Sequence, residues 1–138
     1  MGTTVQCDIV SCEEQLFSGS VELVIASGES GDLGIAPGHA ALMTSLKPGP
    51  VRVVKEGGEE EVFYVTGGYL EVQPNVVTVL SDTAQRADHI DEAAALEAKA
   101  EAEREFANLK GDMDYNRVAL QLAEATARLR AVQYIRRK

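Results

Sequence analysis

Along this 138-residue chain the spacing of apolar residues changes near residue 86, and that change constrains the fold more than any other feature. Before it, apolar and polar residues alternate in short runs: Val5-Gln6-Cys7-Asp8-Ile9, Val21-Glu22-Leu23-Val24-Ile25, Val51-Arg52-Val53-Val54, Val62-Phe63-Tyr64-Val65, Tyr69-Leu70-Glu71-Val72 and Val76-Val77-Thr78-Val79-Leu80. A period of two is the mark of a strand with one face in a core. Turn chemistry separates the runs. Gly57-Gly58 supplies the positive φ that tight hairpins need, and Pro74 in Gln73-Pro74-Asn75 denies the ladder a donor. Many short strands without intervening helices predict an all-β sandwich or barrel. After the change come two alanine-rich helical runs, hinged at Gly111-Asp112-Met113-Asp114. We therefore divide the chain into a β unit, residues 1–86, and a helical unit, residues 87–138.

Charge divides at the same place. Residues 1–84 hold 12 acids against the three bases Lys47, Arg52 and Lys55, whereas residues 85–138 hold 10 of each. The net charge of −9 therefore sits on the β unit and argues against nucleic acid as a partner. No apolar run is long enough to span a bilayer, and the first residues lack the pattern of a signal peptide, so the expectation is an intracellular protein that does not insert in the membrane. Cys7 and Cys12 are too few and too isolated from histidine for a metal site, and they read as small thiols.

The longest break in the β pattern runs from Ser27 to His39 and contains four glycines and a proline. It has no lysine and no helix start after its glycines, so it does not read as a phosphate loop. His39 with Ser30 and Asp32 is compatible with a hydrolytic triad, but no nucleophile elbow accompanies it. The alternative is a histidine that fixes the loop or lies in an interface.

In the helical unit, Asp88 reads as an N-cap with Asp91 three residues on, and the first helix offers the thin seam Ala95, Ala98, Ala102, Phe106 and Leu109. The second helix carries a stronger stripe, Tyr115, Val118, Leu122, Ala125, Leu129 and Val132. An adjacent row includes Ala123, Ala127, Ala131 and Tyr134, and we expect it to pack on the β unit in one state and elsewhere in another. An antiparallel hairpin would bring Arg117 near Glu105 and Arg128 near Glu97. Alanine burial stabilises far less than leucine or valine burial, so the hairpin is expected to be releasable. Beyond Glu124 there are only bases: Arg128, Arg130, Arg136, Arg137 and Lys138. They read either as a solvated end complementing the helix dipole or as a docking patch for an acidic partner.

Three motifs, in order, carry a resemblance: Gly31-Asp32-Leu33-Gly34-Ile35-Ala36-Pro37-Gly38-His39-Ala40, Leu46-Lys47-Pro48-Gly49-Pro50-Val51, and Gly67-Gly68-Tyr69-Leu70-Glu71-Val72-Gln73-Pro74 leading into Val77-Thr78-Val79-Leu80-Ser81-Asp82-Thr83-Ala84. With Ile90-Asp91-Glu92-Ala93 and Gly111-Asp112-Met113-Asp114-Tyr115, the chain resembles the bacterial F-type ATP synthase epsilon subunit over essentially its whole length. The resemblance implies a sandwich of about ten strands followed by a two-helix hairpin. It implies a non-catalytic place in the central rotor stalk, on the cytoplasmic face of the bacterial inner membrane, against the gamma subunit and the ring of c subunits. It also implies that the helices can extend into the alpha/beta catalytic head and block ATP hydrolysis.

By position, Glu29, Ser30, Gly31 and Asp32 match the family's c-ring-facing loop, His39 matches its gamma-contact region, and Arg128, Arg130, Arg136 and Arg137 resemble the bases that meet the beta subunit. Some members bind ATP through an Ile/Leu-Asp-x-x-Arg-Ala motif. Here Asp91 is present, but Ala94 stands where the arginine belongs, so weak or no ATP binding is expected and no cofactor. Two rival readings remain at this point, a free-standing β-sandwich adaptor that binds partners through its helices and a small hydrolase using His39.

Overall fold

The computed structural model describes residues 4–108 and 112–136. Leu109, Gly111, Arg137 and Lys138, on which parts of the seam, hinge and basic-end readings fall, lie outside the described residues, as do the side chains of Asp112, Met113, Asp114 and Arg136. Eight strands come first: β1 (Val5–Ser11), β2 (Gln15–Gly28), β3 (Gly31–Ile35), β4 (Leu42–Lys55), β5 (Glu60–Val65), β6 (Gly68–Val72), β7 (Val76–Ser81) and β8 (Ala84–Arg86). A single 3-10 turn, Ala87–His89, leads to α1 (Glu92–Ala107) and α2 (Asp112–Arg136).

The strands follow the order β3-β2-β1-β7-β6-β4-β5-β8, and an additional β2–β4 pairing closes the sheet on itself. β2 and β4 are each 14 residues long and serve both layers. The first part of β2 pairs with β1 and the last part with β3, while β4 pairs with β6 through Leu42–Leu46 and with β5 through Gly49–Val54. One layer is thus β2-β1-β7-β6-β4 and the other β3-β2-β4-β5-β8. The expected ten segments arise from eight strands, two of them used twice. Register shifts in β2 at Val21/Leu23 and Ala26/Gly28 mark where its pairing is interrupted, as bulges that bend a strand do.

The core between the layers is made of the inward half of each alternating run, including Cys7, Ile9, Phe17, Val24, Ile35, Val51, Val53, Phe63, Leu70, Val77 and Val79. Phe17 and Phe63 meet edge to face at 5.9 Å. Each such large side chain stabilises by about 1.5–3 kcal/mol on full burial, so the sandwich has an ample core of its own.

Two local expectations are corrected. The glycine-rich break is in part a strand: Gly31–Ile35 pairs antiparallel with Val24–Gly28, leaving Glu29-Ser30 as a hairpin turn. Leu33 and Ile35 point to the core there, and Gly31 takes a φ of 132°. Asp88 does not cap the first helix, since it sits inside the 3-10 turn. The cap is Asp91, whose carboxylate accepts from the Ala94 N–H at 3.1 Å.

Candidate functional site

β5 differs from the other strands in having four consecutive apolar residues, Val62-Phe63-Tyr64-Val65, that are all buried. Phe63 and Val65 face the sandwich core, and Val62 and Tyr64 face outward. What covers the outward pair is α2. Val62, Tyr64 and Ala87 form a second cluster with Ala127 and Ala131, joined by Ile90, Tyr134 and Ile135. This seat is where the two units of the chain meet, and α2 also packs against β4. It was not read from the sequence as a site. The run of apolar residues was a signal that pointed to cover on both faces without singling out β5, since Leu23-Val24-Ile25-Ala26 in β2 has the same pattern and leaves Leu23 and Ile25 half-buried.

The adjacent row of α2 is therefore spent on the sandwich in this conformation, through Ala127, Ala131 and Tyr134, while Ala123 is exposed. The main stripe is buried at Val118, Ala125 and Leu129, Leu122 is half-buried, and Ala95 and Ala102 are the buried positions of the facing helix α1. At the hinge end the Phe106 and Tyr115 rings meet at a tilt, their centroids 5.1 Å apart, although Tyr115 remains half exposed. The antiparallel pairing brings Arg117 to 3.8 Å from Glu105. Arg128 instead pairs with Glu124 at 4.0 Å on its own helix and lies over the Tyr64 ring at 4.9 Å.

Cation–ring contacts hold the seat from both sides. Arg128 reaches down from α2 to Tyr64, and Arg52 reaches up from β4 to the Tyr134 ring, 4.3 Å from its centroid. Arg52 is itself held by Glu60, with its Nε donating at 2.6 Å. Beside this pair Glu61 accepts from Lys55 at 2.9 Å and from Arg86. Burial pushes the Glu61 carboxyl upward, but the hydrogen bonds from Lys55 and Arg86 outweigh it and leave its pKa below the usual value. Arg86 also donates to the Leu16 carbonyl at 2.9 Å, which ties the end of β8 back to β2. Within the seat, burial pushes the Tyr64 hydroxyl up to about 12. Its oxygen has no hydrogen-bond partner among the described residues.

A second surface lies on the outer face of the β1-β7-β6-β4 layer. Tyr69 stands directly opposite Leu80, and Val10 neighbours Leu80 on the other side. Met43, Tyr69 and Leu80 are 63%, 53% and 43% exposed, a degree unusual for large apolar side chains on one sheet face. A groove of about 530 Å³ runs beside them, lined by Val10, Tyr69, Leu80 and Glu29 among others. The groove thus joins this patch to the Glu29-Ser30 turn, where Glu29, Ser30, Gly31 and Asp32 are all exposed.

His39 is exposed, and its Nδ1 donates to the neighbouring Ala40 carbonyl at 2.8 Å rather than to a loop acid. That is a turn-fixing bond, and it leaves the hydrolase reading without an oriented base. Among the described residues no group of three or more His, Cys, Asp or Glu side chains gathers as a metal site. Asp91 is occupied as a helix cap, Ala94 is exposed, and Arg130 is half-buried on α2. No helix among the described residues is long and apolar enough to cross a membrane.

Comparison with known proteins gives two adjoining family matches. The beta-sandwich domain of the ATP synthase delta/epsilon chain matches residues 4–87, and the long alpha-helix domain of that chain matches residues 88–133. The ATP synthase epsilon chain of Chromohalobacter salexigens is 63% identical over 133 residues, which cover 96% of this chain and 94% of that protein. Among solved structures, a chain of the Euglena gracilis mitochondrial ATP synthase (OSCP, F1 and c-ring) superposes with a TM-score of 0.82 at 20% identity, covering 91% of this chain and 79% of that one. A chain of the Tetrahymena thermophila mitochondrial ATP synthase central stalk and c-ring superposes with a TM-score of 0.56 at 15% identity, covering 95% of each. At those identities the likeness is one of fold. The two family domains and the bacterial relative go further: this chain belongs to the ATP synthase delta/epsilon family, as a bacterial F-type epsilon subunit.

Proposed function

We propose that this subunit works as a non-catalytic part of the central stalk, on the cytoplasmic face of the bacterial inner membrane. In this reading it docks on gamma, meets the c-ring, and restrains ATP hydrolysis when its hairpin leaves the sandwich. The observation that carries the proposal is the exposed Met43–Tyr69–Leu80 patch, which adjoins the Glu29-Ser30 turn through one groove. Gamma covers the patch and the nearby His39 region. Glu29, Ser30, Gly31 and Asp32, at the end of the β2–β3 hairpin, face the c-ring. Residues 1–86 then act as the fixed unit and residues 87–138 as the moving one.

In the released state Arg128, Arg130, Arg136 and Arg137 meet the acidic surface of the catalytic head. The chemistry of ATP belongs to the alpha and beta subunits, and ATP is not the trigger for release, since Ala94 replaces the phosphate-binding arginine and Asp91 is committed to its cap. Co-purification of tagged subunit with gamma, alpha and beta tests the placement. The double variant Tyr69→Ser, Leu80→Ser should lose gamma while remaining folded, and retained binding would refute the docking face. Changing Arg128, Arg130, Arg136 and Arg137 together to alanine should relieve inhibition of ATP hydrolysis; unchanged inhibition would refute the inhibitory contact.

A further inference from the structure

We propose that the Tyr64 hydroxyl is a release element built into the hairpin seat, a group that weakens the docked state without altering its shape. Tyr64 lies on the outer face of β5 and is 1% exposed when α2 is in place. The buried residues around it, Val62, Ala87, Ala127 and Ala131, offer no side-chain acceptor or donor, and of the partly buried Ile90, Tyr134 and Ile135 at the edge of the seat only Tyr134 carries a polar atom. The Arg128 guanidinium lies over the ring face, 4.9 Å from the centroid of the Tyr64 ring, and the hydroxyl oxygen itself has no partner among the described residues. A hydroxyl buried without a hydrogen bond opposes docking, whereas the ring beneath it favours docking through contact and through the cation. Phenylalanine would keep the ring and remove the opposing group.

The effect is large relative to the seat. The sandwich core buries phenylalanine, isoleucine and leucine fully, whereas the fully buried part of the seat is Val62, Tyr64 and three alanines, with Ile90, Tyr134 and Ile135 only partly buried around it. The seat buries fewer large apolar side chains than the core, so one unpartnered buried hydroxyl weighs in its balance. When α2 leaves, the hydroxyl returns to water and the opposition disappears. Tyr64 therefore shifts the docked-to-released ratio toward release, while Arg52 on Tyr134 and Arg128 on Tyr64 hold the docked geometry in register.

The inference rests on the reading of the hairpin as a moving unit, and the test separates the two. Amide hydrogen exchange on the full-length chain measures opening of α2 directly, with amides of β4 as the control for opening of the sandwich. In Tyr64→Phe, exchange at 118–131 should slow by roughly 5- to 150-fold with β4 unchanged, the range expected for relieving one unsatisfied hydroxyl. In Tyr64→Ala, which also loses the ring, it should quicken. Unchanged or faster exchange of α2 in Tyr64→Phe would overturn the inference. In the assembled enzyme, Tyr64→Phe should also weaken inhibition of ATP hydrolysis. Slowed exchange with full inhibition would support the release element and refute the inhibitory role of the hairpin.

Discussion

Substituting Gly68 by alanine would place a methyl carbon 1.9 Å from the Leu80 carbonyl oxygen, and 2.9 Å from the Leu80 carbonyl carbon and from the Ser81 Cα. All three neighbours are backbone, so no side chain can swing aside. A carbon–oxygen contact is comfortable only at about 3.3 Å or more, which means β6 and β7 must part by roughly an ångström. Gly68 also sits at a φ of 121°, where a side chain is strained by on the order of 1–3 kcal/mol before any clash. Parting the strands weakens one or two buried ladder bonds, each worth about 1–3 kcal/mol when left unmade.

Gly57 is the matched control. Its φ is 95°, but an added methyl there meets nothing within 4 Å, so alanine brings the backbone strain alone. Urea denaturation of the two variants should therefore differ by about 2 kcal/mol or more, a separation of roughly 1–2 M in midpoint for a small domain. Stabilities equal within about 0.5 kcal/mol would refute the steric argument and the β6–β7 geometry behind it. Because Tyr69 is held opposite Leu80 by this same pairing, Gly68→Ala should also weaken capture of gamma.

Three further outcomes are expected. Burial, and after it the Asp8 charge, pushes the Cys7 thiol up to about 12, whereas Cys12 is exposed with its Sγ donating to the Asp82 carbonyl. A thiol reagent near pH 8 should thus label Cys12 alone until the protein is denatured, and rapid labelling of both would contradict the fold around β1. A double-mutant cycle of Arg52→Gln and Tyr134→Leu, read by α2 amide exchange, should give a coupling of about 0.5–2 kcal/mol, since the contact is only partly screened from water. Additivity would mean that the stacking does not hold the helix. Low-millimolar ATP should leave the melting temperature unchanged, and restoring the motif with Ala94→Arg should introduce a nucleotide-dependent rise; a clear shift in the unaltered chain would refute the argument from Ala94.

Much of the fold could be read from local pattern. Each alternating run became a strand, with Cys7 and Ile9 or Val51 and Val53 facing the core, because a two-residue period leaves one face to bury. The helix stripe at Val118, Ala125 and Leu129 was equally legible. The β3 strand was not, since glycines at positions 31 and 34 weaken a strand pattern that pairing with β2 restores. Nor was the start of α1, where Asp88 and Asp91 both have capping chemistry and the preceding 3-10 turn selects the later one.

The functional surfaces divide in the same way. The motifs around Gly31–Ala40 and Gly67–Pro74 carried the family resemblance as sequence, and the structure places Gly31–Ile35 in the β2–β3 pairing and Tyr69–Val72 in the β6–β7 pairing. The sequence alone determined where strands give way to helices, and that the first helix offers mainly alanine to its neighbours. Only the tertiary structure decided which surface that unit covers. Val62 and Tyr64 lie far along the chain from Ala127 and Ala131, and their meeting depends on how β5 is placed in the closed sheet. The lone hydroxyl of Tyr64 belongs to the same category: a tyrosine in a strand reads as ordinary until the helix above it proves to offer its oxygen no partner.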